Sequence, residues 1–173
     1  MSGTNQEDNR MRLKSKNDIQ MLIKELTCGE DLRCQIAREK LEGMGATAMP
    51  DLIAALGTAK GQARWELVKT LADIADPSAV QPLTNLLDDA DHDIRWLAAD
   101  GLSAIGYDSL KPVLRSLVSH GKSLFLLRTA HYVLRNIAAK GYISQLRPVL
   151  LAFDGPEAEL TVPVAAEQLL VKL

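Results

Sequence analysis

The stretch "ARWELVKTLADIA" (63–75) decides the fold, because a near copy, "IRWLAADGLSAIG" (94–106), follows 31 residues later. Apolar residues recur in both stretches every three or four positions, which is typical of an amphipathic helix. The same apolar positions return along the chain as two series, Leu41, Leu71, Leu102, Leu134 and Met44, Ile74, Ile105, Ile137. A steady period of 30 to 32 residues predicts a repeat protein.

A second kind of helix lies between these copies, and each example carries a proline near its start. Proline suits the first helical turn, where its missing N–H would have no partner anyway. These prolines are Pro50, Pro82, Pro112 and Pro148. The patterns predict helices near 17–26, 31–44, 47–58, 62–75, 78–89, 93–105, 109–120, 123–139, 142–152 and 157–172. Pro163 predicts that the last helix is kinked, or that it starts only near Val162.

Helix boundaries are marked by short polar residues and glycines. Aspartate accepts hydrogen bonds from the free N–H groups at a helix start, and glycine adopts the left-handed conformation that often follows a helix end. The predicted caps are Asp76, Asp91, Asp93 and Asp108, and the predicted terminating glycines are Gly45, Gly106 and Gly141.

The unit "DPSAVQPLTNLLDDADHDIRWLAADGLSAIG" (76–106) resembles a HEAT-like repeat of the phycobilin-lyase type. The resemblance rests on the opening Asp-Pro, the Val-x-Pro-Leu first helix, the acidic turn, the Arg of the second helix and the closing Ile-Gly. It extends loosely over about residues 31–173, and the unit at 108–139 departs from it because "SHGKSLF" replaces the acidic turn.

The resemblance implies an all-α fold, an α-α superhelix (right-handed α-solenoid) of about four HEAT-like helix pairs with an extra N-terminal helix. In such a solenoid the first helix of each pair lies on the convex side and the second lines the concave face. A single helix pair cannot bury its own apolar face, so neighbouring pairs must stack. We expect residues 1–16 to form a disordered polar tail and residues 17–173 to form a single domain.

Composition agrees with a helical globular chain. The 173 residues are 47% apolar but only 4% aromatic, and Leu and Ala, both strong helix formers, carry the apolar share. No apolar run approaches the roughly 20 residues that a membrane span requires, and a cytoplasmic protein is expected. Cys28 and Cys34 are expected to be reduced thiols, although one disulfide is conceivable.

Helical geometry predicts which residues of the second helices point away from the core. At about 100° per residue, an outer stripe is predicted to bind a partner on the concave face. It comprises Trp65, Lys69, Trp96, Asp100, Arg128, Tyr132 and Arg135. Trp and Arg are common interface anchors, but each tryptophan is equally explained as a wedge between repeats. Arg95 is expected to pair with a turn carboxylate, that of Asp89, Asp91 or Asp93.

Charge is distributed unevenly along a chain whose net charge is only −2. Residues 73–108 hold eight carboxylates and one basic residue, whereas residues 109–153 hold seven basic residues and no carboxylate. A basic region attracts anionic partners, unless its charges are dispersed over several helices. A weak homodimer is also conceivable, through the opposite charges or through the apolar C-terminal helix.

The sequence contains no recognisable catalytic, cofactor or metal site. We therefore predict a non-enzymatic scaffold or adaptor that binds a protein partner. Two alternatives stay open, namely a subunit or relative of a bilin lyase, and a binder of an anionic partner or nucleic acid through residues 109–153. The net acidity makes nucleic acid the weaker alternative.

Overall fold

The computed structural model describes residues 16–173, and all regular structure in that range is helical. The all-α prediction is therefore confirmed for these residues. The predicted tail lies outside the described residues except for Lys16, which already belongs to the first helix. None of the helices in 16–173 is long and apolar enough to cross a membrane.

The helices follow the predicted order. Their bounds are α1 16–26, α2 Asp31–Met44, α3 Met49–Leu56, α4 Gly61–Ile74, α5 Val80–Thr84, α6 His92–Ile105, α7 Leu110–His120, α8 Leu124–Ile137, α9 Ile143–Asp154 and α10 Ala158–Leu170. The four copies of the quoted helix, α2, α4, α6 and α8, are each 14 residues long. The largest departure from prediction is α5, where turns replace the second half of the expected helix.

Contacts within the chain cluster into two compact units. The first extends to Thr70 and the second covers Leu71–Leu173, so that the boundary falls inside α4. The single-domain prediction remains a prediction, and each unit is described by itself. Within the second unit the helices form stacked hairpins, with α5 against α6 and α7 against α8.

The repeated leucines form the core, as their spacing predicts. Leu41, Leu71, Leu102 and Leu134 are all completely buried. Of the second series only Ile137 is completely buried, whereas Met44, Ile74 and Ile105 are half-buried in the last turns of their helices. Both cysteines are free thiols, and burial raises the pKa of the Cys34 thiol.

The capping predictions are confirmed in part. Asp76 accepts a hydrogen bond from the Ser78 N–H. Asp91 accepts hydrogen bonds from the Asp93 and Ile94 N–H groups in the first turn of α6. Asp93 instead lies inside the first turn of α6, and Asp108 lies in a short 3₁₀ turn before α7. Both were wrongly predicted as caps, because the chain enters each helix one or two residues away from the expected position.

The predicted terminating glycines all have positive φ angles, 54° at Gly45, 83° at Gly106 and 111° at Gly141. At Gly141 the backbone turns inside the short helical segment Ala138–Tyr142, which joins α8 directly to α9. An L side chain is strained in this conformation, so glycine is favoured at these positions, where the chain changes direction.

Pro148 lies deeper in its helix than predicted, and Pro163 lies inside the helix predicted for 157–172. Pro148 is inside α9, which begins at Ile143. Pro163 is inside α10, so the prediction that this helix starts near Val162 is wrong. The first turn of α10 is already closed before the proline, because the N–H groups of Leu160 and Thr161 both donate to the Glu157 carbonyl.

The last hairpin of the second unit reverses the order of the preceding ones. In the earlier repeats α6 packs against α8 and α5 against α7, but here α9 packs against α8 and α10 packs against α7. The prediction that 146–153 repeats the first-helix layer is therefore wrong. The close approach of α10 uses Gly121 at the end of α7, where a Cβ atom would collide with the Pro163 ring.

Candidate functional site

The candidate site lies on one side of α6 and α8 in the second unit. A capping aspartate and a terminating glycine fix the two ends of α6. Asp91 caps its start, and Gly106 ends it with a φ of 83°. The helix then carries His92, Trp96 and Asp100 at intervals of four residues, which places them on one face. Trp96 is half-buried, and the other two are exposed.

Helix α8 is positioned by its own cap and by a contact with the acidic turn before α6. The Ser123 hydroxyl accepts from the Leu126 N–H at 3.4 Å and donates to the Asp88 carboxylate. Thr129, buried in the next turn, donates to the Leu87 carbonyl at 2.8 Å. Helix α8 therefore exposes Arg128, Tyr132 and Arg135 on one side, as predicted.

Tyr132 joins the two helices. Its ring meets the Trp96 indole edge to face, with centroids 5.2 Å apart and planes at 83°. Its hydroxyl donates to Asp100 Oδ1 at 2.9 Å. The pKa of Tyr132 is raised, first by this hydrogen bond and then by partial burial and the charge of Asp100. The predicted residues Trp96, Asp100 and Tyr132 are thus brought together in one hydrogen-bonded cluster.

His92 fixes the indole from the other side. Trp96 Nε1 donates to His92 Nε2 at 2.9 Å. An accepting Nε2 places the imidazole proton on Nδ1, which lies 3.1 Å from Asp93 Oδ1. The Trp96 ring is held by a histidine one turn earlier and by a tyrosine from the next repeat. Trp96 is therefore partly exposed, as a binding residue would be, and partly packed between repeats.

Arg95 lies beside this cluster. It is 7% exposed, and its Nη1 donates to the carbonyls of Asp89 and Ala90 at 2.6 and 3.0 Å. Arg95 therefore binds the turn before α6 through backbone carbonyls, whereas the sequence predicted pairing with a turn carboxylate. The Phe125 ring covers the guanidinium, with its centroid 4.1 Å from the Arg95 Cζ atom. Phe125 was not predicted, because nothing in its local sequence distinguishes it from a core residue.

A small cleft opens between these groups. Its volume is about 100 Å³, and it is lined by His92, Arg95, Trp96, Phe125, Arg128 and Thr129. Arg128 stands exposed at its edge and makes no hydrogen bond or ion pair with any residue of 16–173. The cleft can accept a single side chain rather than a large ligand.

Trp65 and Lys69, the two predicted site residues of the first unit, lie on α4 and are both half-buried. The guanidinium of Arg38 from α2 lies over the Trp65 ring, 5.9 Å from its centroid. Arg38 also pairs with Glu66, which is 4% exposed and accepts a second hydrogen bond from Gln62 at 3.0 Å. This buried ion pair was not predicted, although the i, i+4 spacing of Gln62 and Glu66 is a visible signal.

The basic residues of 109–153 lie on several elements, and two of them are engaged by backbone carbonyls. Lys140 donates to the Ser103 and Ala104 carbonyls at the end of α6, and Lys111 donates to the Leu173 carbonyl. The remaining basic residues lie on three helices and are exposed, namely Arg115, Arg128, Arg135 and Arg147, with Lys122 in a turn. Dispersal therefore accounts for part of the charge pattern.

Among residues 16–173, no group of three or more His, Cys, Asp or Glu side chains is placed to hold a metal ion. A family model described as HEAT repeats matches residues 49–135, which is just over half of the chain. No curated protein matches the chain. The period, the stacked helical hairpins and this match agree, and the chain belongs to the HEAT-repeat family.

Proposed function

We propose that this protein is a non-enzymatic scaffold that binds a segment of a partner protein on the side shared by α6 and α8. The binding residues are Trp96, Asp100, Arg128, Tyr132 and Arg135. Trp65 and Lys69 hold the equivalent register in the first unit, and we propose them as a separate contact on which the rest does not depend.

The observation that carries the proposal is the fixed Trp96–Tyr132–Asp100 cluster beside Arg128, which pairs with no residue of 16–173. The few residues that dominate the binding energy of protein interfaces are enriched in Trp, Tyr and Arg. Because hydrogen bonds to His92 and Asp100 already hold the two rings, little side-chain entropy is lost when a partner covers them. A preformed surface with one small cleft suits a protein segment.

The geometry favours a protein over a bilin. Clefts of about 100, 350 and 330 Å³ lie in the second unit. Pockets for small-molecule ligands span about 300–1,000 Å³ and bury most of the ligand. Two of these clefts reach only the lower end of that range and the third is smaller, and the bilin-lyase alternative rests on resemblance alone.

Nucleic-acid binding is the second alternative, and the positions of the basic residues support it less than the sequence pattern does. Two of the seven are occupied by backbone carbonyls, and the other five are spread over α7, α8, α9 and the turn after α7. Binding through phosphate contacts would weaken steeply as salt increases. A gel-shift titration at low salt with single- and double-stranded DNA distinguishes this alternative from the proposal.

The test is affinity capture with a double variant, Trp96→Ala with Arg128→Ala. Loss of two interface anchors is expected to weaken the partner complex by about 30-fold or more. The matched control is Arg115→Ala, which removes an equally exposed arginine from α7. Circular dichroism and thermal melting verify that each variant is folded.

The proposal is wrong if the folded double variant retains the partner of the wild type. It is equally wrong if the Arg115→Ala control loses that partner to the same extent, since the binding surface would then lie on α7.

A further inference from the structure

The reversed last hairpin creates a surface that a regular repeat would not have. Helix α9, rather than α10, is the neighbour of α8. The two are joined through the turn at Gly141, where φ is 111°. A cleft of about 350 Å³ opens between them, lined by Arg135, Ala138, Ala139, Gly141, Ile143 and Leu150.

The lining of this cleft is mostly aliphatic and partly open to solvent. Ile143 is 58% exposed and Leu150 is half-buried. Leu151, on the same side of α9 as Ile143 at a spacing of eight residues, is also largely exposed. Exposed aliphatic side chains around a concavity are characteristic of an interaction site.

Two arginines lie at or near the cleft. Arg135 lines it directly, and Arg147 follows Ile143 by one helical turn. Neither arginine makes a hydrogen bond or ion pair with another residue of the described chain, 16–173. Lys140 is already engaged by the carbonyls at the end of α6. Residues 109–153 contain no carboxylate, and the Asp154 carboxylate that follows them makes no ion pair with either arginine among residues 16–173.

We propose that the α8–α9 cleft binds an aliphatic side chain of an acidic partner segment, an inference that rests on the proposed protein-binding function. The aliphatic side chain fills the cleft, and carboxylates beside it in the partner pair with Arg135 and Arg147. Such a segment extends the contact from the α6–α8 side along the same α8 helix, because Arg135 belongs to both surfaces.

The same features favour an acidic protein segment over nucleic acid. Single-stranded nucleic acids bind through aromatic stacking platforms combined with a basic groove. The residues that line this cleft are aliphatic apart from Arg135. An aliphatic anchor flanked by carboxylates matches the cleft, whereas a base without a stacking partner does not.

The experiment uses a synthetic peptide with one leucine flanked by glutamates, titrated into the ¹⁵N-labelled full-length protein and followed by amide chemical shifts. Two matched peptides replace the leucine by serine or the glutamates by lysines. Ile143→Asp and Arg147→Glu test the cleft. Their controls are Leu160→Asp, which changes a side chain of nearly equal exposure at 55% on α10, and Arg115→Glu on α7.

We expect the shifts to concentrate at Ala139, Gly141 and Ile143, and the affinity to fall at least about tenfold in either cleft variant. The controls stay within about twofold of the wild type. Either matched peptide binding as well as the first would overturn the proposal. Absence of binding by the wild type at millimolar peptide, a larger loss in the Leu160→Asp control, or tighter binding of a short single-stranded DNA would overturn it too.

These results separate the inference from the proposed function. If the peptide binds the cleft but the Trp96→Ala, Arg128→Ala double variant keeps its partner, the cleft assignment stands and the α6–α8 proposal fails. If the double variant loses its partner but no peptide binds, the reverse is true.

Discussion

At the scale of single residues, one cation–π contact and one aromatic contact explain why both repeated tryptophans occur where they do. Arg38 lies over Trp65 in the first unit, and Tyr132 meets Trp96 edge to face in the second. In each case a side chain from a neighbouring helix of the same type contacts the indole. The ring therefore serves packing between repeats and leaves its outer part accessible.

The hydrogen bond between Tyr132 and Asp100 provides the first prediction. Asp100→Ala removes the acceptor that raises the Tyr132 pKa, so this pKa should fall toward the ordinary value of about 10. A titration of tyrosinate absorbance measures the change against the Asp108→Ala control. A pKa that does not change in Asp100→Ala would mean that the hydrogen bond is absent in solution.

The buried pair of Arg38 and Glu66 provides the second prediction. Glu66→Ala leaves the Arg38 guanidinium, whose side chain is only 19% exposed, without its anionic partner. The free energy of unfolding should fall by about 3–5 kcal/mol. The double variant Arg38→Met with Glu66→Leu should lose much less, because it removes both charges and preserves volume.

Urea denaturation measures both changes, and Glu39→Ala on the exposed side of α2 is the control. A double variant as unstable as Glu66→Ala would show that the loss comes from packing rather than from an uncompensated charge.

At the scale of elements, the close crossing of α6 over its neighbours depends on Gly101. A Cβ atom there would lie 2.8 Å from both the Ala72 Cα and the Leu83 Cδ1 atoms. Gly101→Ala should therefore destabilise the second unit by about 1–3 kcal/mol, because overpacking exceeds the gain in helix propensity. Thermal or urea unfolding measures the difference.

Gly43 is the matched control for this third prediction. It lies in α2, where an added Cβ would meet nothing within 4 Å. Gly43→Ala should stabilise the protein by up to about 1 kcal/mol, because alanine favours the helix. Equal effects of the two substitutions would contradict the assigned contact.

The elements that sequence reasoning located well are those with a strong local signal. The 14-residue helices α2, α4, α6 and α8 carry a clear apolar period, and Asp91 with Gly106 bounds α6 as predicted. The order of α9 and α10 was missed, because it depends on how Gly121 and Pro163 allow two helices to approach. Long-range packing of this kind leaves no periodic signature in the chain.

The candidate site divides along the same line. The outward direction of Arg128, Tyr132 and Arg135 follows from helical geometry and could be predicted. The cover that Phe125 provides over Arg95, and the binding of the Trp96 N–H by His92, depend on side-chain conformations. Sequence spacing indicates which side chains share a face, but not which of them touch.

At the scale of the whole molecule, the dependence of stability on pH combines groups from both units. Burial, with a smaller contribution from Arg135, holds the pKa of His131 below its ordinary value of about 6.5, although Asp154 opposes the shift. Below about pH 6.5 the unfolded chain binds a proton that the folded chain resists. Stability is therefore lost as the pH falls toward the folded pKa.

The thiol of Cys34 has the opposite effect on the alkaline side. Burial raises its pKa, so the unfolded chain releases the proton first, above its ordinary value of about 8.5. Stability is complete below that pH and is lost as the pH rises toward the folded pKa. The fourth prediction is a plateau of unfolding free energy between about pH 6.5 and about pH 8.5, with a decline on each side.

Two variants assign the two declines. His131→Phe keeps an aromatic ring against Phe153, whose centroid lies 4.5 Å away, and should make the acid decline shallower without changing the alkaline one. Cys34→Ala should make the alkaline decline shallower and leave the acid one unchanged. Urea unfolding at a series of pH values measures both curves. If each variant changes only the height of the plateau and not the slopes, other groups control the pH dependence and the assignment is wrong.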